Sequence, residues 1–370
     1  MTEKFNTVPK KIANFEIVRE IGYGGMGNVY LARQMPVGRE VALKVLPVRN
    51  AEDPEYVEAM QRFDSEAKAI SLLDHDNIVT LYDYGIADNM SFLAMQYING
   101  NSLFDIIQKH KSIPIDMIAE YAKHICRGLN YAHAKGVVHR DIKPQNILVS
   151  KENGKCHITD FGIAKIKRQE RITMVGMAVG TPEYMSPEQA EGKNLDLQTD
   201  VYSFGILLYE LCTGNPPFHG GDPVSIAYRQ VHEEPKKPSK HRHDIPLRLE
   251  NVIMKALKKN KNERYRGMHE ILKDIDVLIA ESQENLDINL TNSMKSGTGF
   301  IQRQAVERRE GDRRHGDRRA VSVFDVETNR KSSFLRFFYR HIIFIIVGLL
   351  VVMGFSFVAI ITLLLMLITR

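Results

Sequence analysis

The chain has 370 residues, of which 44% are apolar and 26% charged, with a formal net charge of +5. That length accommodates one two-lobed domain or two ordinary ones. The basic excess sits mainly in the last third without a nucleic-acid motif or stacking aromatics, which excludes a dedicated nucleic-acid binder, and Cys126, Cys156 and Cys212 are too dispersed for a metal knuckle or a redox pair.

In chain order, residues 1–14 form a polar lead. Met1-Thr2-Glu3-Lys4-Phe5 has neither the apolar core of a secretory signal nor a Gly at position 2 for myristoylation, so a cytosolic start is expected. Phe15 to Ile21 alternates apolar and polar residues, glycines follow, and Asn28 to Ala32 and Val41 to Leu46 read as further strands. Residues 55–73 carry helical spacing, with Met60, Phe63, Ala67, Ile70 and Leu73 on one face. Strands fit 78–86 and 91–97. From about 102 the pattern turns helical, most clearly over 118–134 and 200–212. A small strand-rich lobe before a larger helical one predicts an α+β, bilobal fold over 15–275. Residues 276–340 are an Arg-rich linker, and 341–369 are almost wholly apolar.

Four stretches carry chemistry. Gly22-Tyr23-Gly24-Gly25-Met26-Gly27-Asn28-Val29 lies between two strands. Glycines there let the backbone approach phosphate and present N–H groups to it. A dinucleotide-binding fold would need a helix straight after them, and Val29-Tyr30-Leu31-Ala32 reads as strand. Lys44 ends the apolar run Val41-Ala42-Leu43-Lys44, where an unpaired charge is costly; Glu58, Asp64 and Glu66, on the helix over 55–73, are available as partners. His139-Arg140-Asp141-Ile142-Lys143-Pro144-Gln145-Asn146 and Asp160-Phe161-Gly162 together supply an acidic base, hard oxygen ligands and a cation.

These stretches resemble the eukaryotic-type (Hanks-type) protein serine/threonine kinases, and the wording Gly180-Thr181-Pro182-Glu183-Tyr184-Met185-Ser186-Pro187-Glu188 most resembles their bacterial branch. The resemblance implies ATP and Mg2+ or Mn2+ as cofactors, and protein Ser/Thr hydroxyls as acceptors. Asp141 is then the base and Lys143 the cation at the γ-phosphoryl group, while Asn146 and Asp160 hold the metal and Lys44, braced by Glu66, holds phosphates. The nucleotide would be enclosed by Ile21, Gly22, Gly24, Gly25, Gly27, Val29, Ala42 and Leu148, with Met95, Gln96, Tyr97 and Ile98 as the hinge; many relatives carry Glu where Gln96 stands. His139 and Phe161 become packing residues beside Ile70. Asp160 to Glu188 becomes the activation segment, with Thr173 as phosphorylation site and Arg140 as reader of its phosphate. Lys143 and Thr181 favour Ser/Thr over Tyr acceptors. Glu188 is expected to pair, buried, with Arg264, and Asp200, opening a helix, to brace the catalytic loop.

Ile342 to Ile368 carries no charge. At ~1.5 Å per residue it exceeds the ~30 Å hydrocarbon core, so a single-pass C-terminal anchor is expected. Arg330, Lys331, Arg336 and Arg340 flank it, placing the kinase domain on the cytoplasmic side, most simply of a bacterial inner membrane. Activation is then left to cytosolic partners, self-association as a homodimer, or lipid contact. The unit Gly-Asp-Arg-Arg occurs twice, at 311–314 and 316–319; anionic lipid or an acidic partner would attract it, and a solvated linker compensated by Glu307, Glu310, Asp312 and Asp317 explains it equally well. Two other classes compete: a membrane-tethered pseudokinase scaffold that binds nucleotide without turnover, and a small-molecule kinase of related fold. Intact Lys44, Asp141, Asn146 and Asp160 oppose the first, and the Ser-Pro-Glu segment end opposes the second.

Overall fold

The computed structural model describes residues 10–24, 27–47, 64–65, 67–87, 90–110, 112–161 and 182–284. The chain divides into two units, Met1–Lys295 and Ser296–Arg370, and all described residues belong to the first. Gly25, Glu66, Thr173, Thr181 and the apolar segment 341–369 lie outside them. Among the described residues no helix is long and apolar enough to cross a membrane.

Six strands form one antiparallel sheet: β1 (Lys11–Ile12), β2 (Phe15–Gly24), β3 (Gly27–Gln34), β4 (Arg39–Pro47), β5 (Leu81–Ala87) and β6 (Met90–Gln96). Their order is β1-β2-β3-β4-β6-β5. Strand alternation gives the sheet two faces. Tyr30, Ala32, Val41, Leu43, Val45, Phe92 and Ala94 point one way and close over Ile12 and Phe15 as a small core. Val29, Lys44 and Leu93 are register partners on the other face, as are Leu31, Ala42 and Met95. Leu93 and Leu81 join the main core, which continues through the helical lobe. The second face therefore looks toward that lobe.

The remaining elements are β7 (Gly100–Ser102), α1 (Leu103–Lys109), α2 (Ile115–Ala134), β8 (Ile147–Ser150), β9 (Cys156–Ile158), α3 (Pro187–Ala190), α4 (Leu197–Thr213), α5 (Pro223–His232) and α6 (Leu247–Ala256). Strands β7, β8 and β9 form a small second sheet. Helix α4 is the axis of the lobe, and every residue from Thr199 to Cys212 is buried. Gly205 lets α6 approach it: a Cβ there would stand 2.8 Å from that of Ala256. Cys126, Cys156 and Cys212 are buried and reduced, and burial raises all three thiols.

Several elements begin elsewhere than expected. The strand expected from 78 starts at Leu81, because the backbone of 77–79 is engaged by β9: Ile158 N–H donates to Asn77 O, and Val79 N–H donates to Ile158 O. Helix α4 starts at Leu197, where the Asp196 carboxylate accepts from Gln198 N–H; Asp200 sits in its first turn instead of opening it. Helix α2 begins at Ile115, directly after Pro114. Residues 268–284 are helical, and Leu278 packs into the main core.

Candidate active site

The glycine-rich hairpin joins β2 to β3, with Gly24 opposite Gly27. Gly27 has φ +137°, and a Cβ there would fall 2.1 Å from Val45 O, so no other residue fits. Ile21 and Gly22 lie on β2, Val29 on β3, Ala42 and Lys44 on β4, and Met95 near the end of β6. Tyr97 and Ile98 follow β6, and Leu148 lies on β8. Ile21, Val29, Ala42, Met95, Tyr97, Ile98 and Leu148 are all only partly buried, whereas neighbours such as Tyr30, Val41 and Leu43 are fully enclosed. An apolar surface lacking its own cover is what a flat aromatic base would complete.

Lys44 crosses between the lobes. Its Nζ lies 2.7 Å from Asp160 Oδ1, although Lys44 is only 8% exposed. Sequence reasoning named Glu66 for this lysine; the described partner is Asp160, two residues after β9. Nothing in local sequence signals a pairing over 116 positions, although the Asp-Phe-Gly motif marked the residue itself.

The loop between α2 and β8 carries Asp141, Lys143 and Asn146. Lys143 Nζ is 2.9 Å from Asp141 Oδ2. Asn146 Nδ2 donates to Asp141 O at 2.7 Å and to its Oδ2 at 3.2 Å. This commits the nitrogen and leaves Oδ1 as the ligating end of the amide. Thr159 N–H donates to Asn146 O at 2.9 Å, tying the residue before Asp160 to the same loop. Lys44, Asp141, Lys143, Asn146 and Asp160 thus belong to one assembly. Asn146 and Asp160 offer the hard oxygens that Mg2+ or Mn2+ takes. Among the described residues no group of three or more His, Cys, Asp or Glu is arranged to hold a metal. A cation bound together with phosphates needs only one or two protein carboxylates, so this donor set fits.

Two buried groups hold the loop. His139 is fully enclosed and its ring lies 4.6 Å from that of Phe161. Its Nε2 meets Thr159 O at 2.9 Å, and its Nδ1 accepts Asp141 N–H at 3.2 Å. A carbonyl only accepts, so Nε2 carries the proton and the ring is neutral. Burial likewise lowers its pKa. Asp200 accepts His139 N–H at 2.8 Å, Arg140 N–H at 2.7 Å and His133 Nε2 at 2.7 Å. Burial acts to raise the Asp200 carboxyl, but these hydrogen bonds outweigh it and hold it below the usual range. Arg140 and Asp160 have φ +65° and +58°. Left-handed backbone at non-glycine positions stores strain, and here it occurs at two residues of the site.

Below the loop, Ser186 caps α3. The preceding Tyr184 donates through its hydroxyl to Glu210. Gln189 Nε2 donates to Arg140 O at 2.9 Å, a contact sequence reasoning missed. Glu188 is buried against Arg264, as expected, with both carboxylate oxygens 2.9 Å from the guanidinium.

A strand-rich lobe and a helical lobe thus bring Lys44, Asp141, Lys143, Asn146 and Asp160 into one assembly. Residues 15–275 match the protein kinase domain, and the chain belongs to the protein kinase family. It is 40% identical over 261 residues to a probable serine/threonine-protein kinase of Clostridium acetobutylicum, covering 70% of this chain and 39% of that one. It is also similar to the serine/threonine-protein kinase PknB of Mycobacterium leprae, at 39% identity over 274 residues and 73% and 43% of the two chains. PknB of Mycobacterium tuberculosis matches at 38% over 276 residues, 73% and 44% of the two chains. The chain thus spans about two fifths of the length of these curated relatives.

Proposed function

We propose that the chain is an ATP-dependent protein serine/threonine kinase, transferring the γ-phosphoryl group to Ser and Thr hydroxyls of proteins. One observation carries the reading: Lys44 of the sheet meets Asp160 of the helical lobe at 2.7 Å, beside the loop that holds Asp141, Lys143 and Asn146. Asp141 orients the acceptor hydroxyl and takes its proton. Lys143 offsets charge on the moving phosphoryl group. Lys44 holds phosphate oxygens, and Asp160 keeps its ammonium paired, avoiding an uncompensated buried charge. Asn146 and Asp160 hold Mg2+ or Mn2+, which neutralises phosphate charge as a Lewis acid. The relatives named as serine/threonine-protein kinases support the choice of acceptor.

The proposal extends to segments outside the described residues. Thr173 is the self-phosphorylation site and Arg140 the group that pairs with its phosphate. Residues 341–369 anchor the protein in a membrane, with the kinase domain cytoplasmic and self-association as homodimers available to bring two copies together. Transfer of radiolabel from ATP to protein acceptors, compared with Asp141→Asn, tests the activity. Label no higher than in that variant leaves a nucleotide-binding scaffold. A lag before full activity in the wild type, with Thr173→Ala held at the initial low rate, supports the loop assignment, and unchanged activity without a lag in that variant counts against it; membrane fractionation after deletion of 341–370 tests the anchor.

A further inference from the structure

Helix α5 and Lys259 take no part in the assembly above, yet they contribute to a polar chain that is fully enclosed at Gln230 and Tyr202 and half-buried at Lys259. Gln230, at 0% exposure, donates from Nε2 to Glu183 O at 2.7 Å and to Pro182 O at 3.2 Å. Its Oε1 receives Tyr202 O–H at 2.8 Å. The Tyr202 oxygen in turn receives Lys259 Nζ at 3.0 Å, and Nζ also donates to Gln230 O at 2.8 Å. Proton accounting allows one direction only. Carbonyls only accept, so the amide nitrogen must face residues 182 and 183. The Tyr202 hydroxyl has one proton, spent on Oε1, so it must accept from the ammonium. Hydrogen bonds aligned in one direction polarise one another. Lys259 also lies 4.5 Å from the centre of the Phe218 ring and closes carbonyls at the end of α5, where a cation is favoured.

The far end of this chain is the turn Pro182–Tyr184. Ser203 Oγ holds the same turn through Tyr184 O at 2.8 Å. Gln189, a few residues on, is fastened to Arg140 O, next to Asp141. Residues 182–189 are thus held at one end by Gln230 and at the other against the loop that carries Asp141.

We propose that Lys259, Tyr202 and Gln230 are positioning residues that fix the Pro182–Tyr184 turn as the platform for the acceptor protein, and so govern binding of the acceptor and not of ATP. This rests on the protein-kinase reading above. The full chain is assayed with an acceptor peptide selected by the wild type from a Ser/Thr peptide array. Tyr202→Phe deletes one hydroxyl and keeps the core filled. Lys259→Met deletes the charge at similar length, and Lys259→Arg restores it. The KM for peptide rises about tenfold in Tyr202→Phe and Lys259→Met, the scale of one lost hydrogen bond. The KM for ATP and the kcat at saturating peptide stay within about twofold, since neither reports acceptor binding. Lys259→Arg recovers most of the loss. Thermal melting establishes that the variants are folded, and Tyr202→Phe decides alone if Lys259→Met does not fold. Unchanged peptide KM, or equal rises in both KM values, overturns the relay while the kinase reading stands. A wild type that transfers no phosphate to any peptide overturns both.

Discussion

Removing Arg264 from beneath α3 gives the sharpest test of what holds the acceptor side of the site. The guanidinium has five N–H donors, and the structure uses each. Nε donates to Lys258 O at 2.7 Å. Nη1 donates to Glu188 Oε1 and Gln198 O, both at 2.9 Å. Nη2 donates to Glu188 Oε2 at 2.9 Å and Lys259 O at 3.0 Å. The two charged side chains are 0% and 9% exposed. Arg264→Met fills most of the volume but strands the Glu188 carboxylate, leaving it only Thr199 Oγ1 at 3.1 Å among the side-chain donors described. Breaking one side of such a pair costs ~3–5 kcal/mol. At roughly 2–4 °C per kcal/mol for a domain of this size, the melting temperature should fall by about 10 °C. Arg248 and Glu281 form the internal control: their pair is as short, 2.8 Å, but 39% and 47% exposed. Arg248→Met should leave stability nearly unchanged, because solvent screens the exposed pair. Urea and thermal melts of both variants, with Glu188→Leu alone and combined with Arg264→Met, complete a double-mutant cycle. The coupling should reach at least ~2 kcal/mol. Equal, small losses for Arg264→Met and Arg248→Met, or an additive cycle, would refute the argument from burial.

Burial raises the Glu210 carboxyl from 4.5 to about 7, against the lowering effect of the Tyr184 hydrogen bond. The native state then holds a proton that the unfolded chain has already released between those values. Stability therefore falls as pH rises through that window, by about 3 kcal/mol in all. Glu210→Gln should raise the melting temperature at pH 8 and change little at pH 5; equal shifts at both pH values would exclude this origin. Asp200→Ala orphans the N–H groups of His139 and Arg140 and should lower kcat at least tenfold with KM for ATP unchanged, checked by steady-state kinetics. Gly205→Val should destabilise by several kcal/mol, because even a Cβ meets Ala256 at 2.8 Å. Cys126, Cys156 and Cys212, all buried with raised thiol pKa values, should resist alkylation at pH 8 in the native protein and react on unfolding, as mass spectrometry would show.

What the sequence disclosed depended on the range over which each constraint acts. Period-two alternation placed β2, β3 and β4, because one face of each strand must be apolar whatever lies beyond it. Boundaries were less visible where tertiary contacts take over: Asn77 and Val79 have strand-like neighbours, yet β9 claims their backbone. Two helix starts were open to local inspection. Ser102 with Asp105 and Ser186 with Gln189 are capping boxes, the pattern of a hydroxyl followed three residues later by a side chain that reaches back. The proposed catalytic residues were legible as types because the chemistry assigned to them admits few substitutes. Their mutual bonds were not, since the Lys44–Asp160 pairing depends on how two lobes meet.

The division between what could and could not be read follows a physical line. Lys44, Asp141, Lys143, Asn146 and Asp160 are proposed to act on something outside the chain, so each would carry the same requirement wherever the fold puts it. Gln230, Tyr202 and Lys259 act only on the chain's own carbonyls and on one another. Taken alone, a glutamine, a tyrosine and a lysine 57 positions from that tyrosine are ordinary residues of two helices and a loop. They become a device because Tyr202 and Gln230 are fully buried, which removes water as the alternative partner for their hydroxyl and amide. The fold therefore creates the requirement that the relay satisfies. Position within the buried lobe, and no local motif, is where further residues of this kind are to be sought.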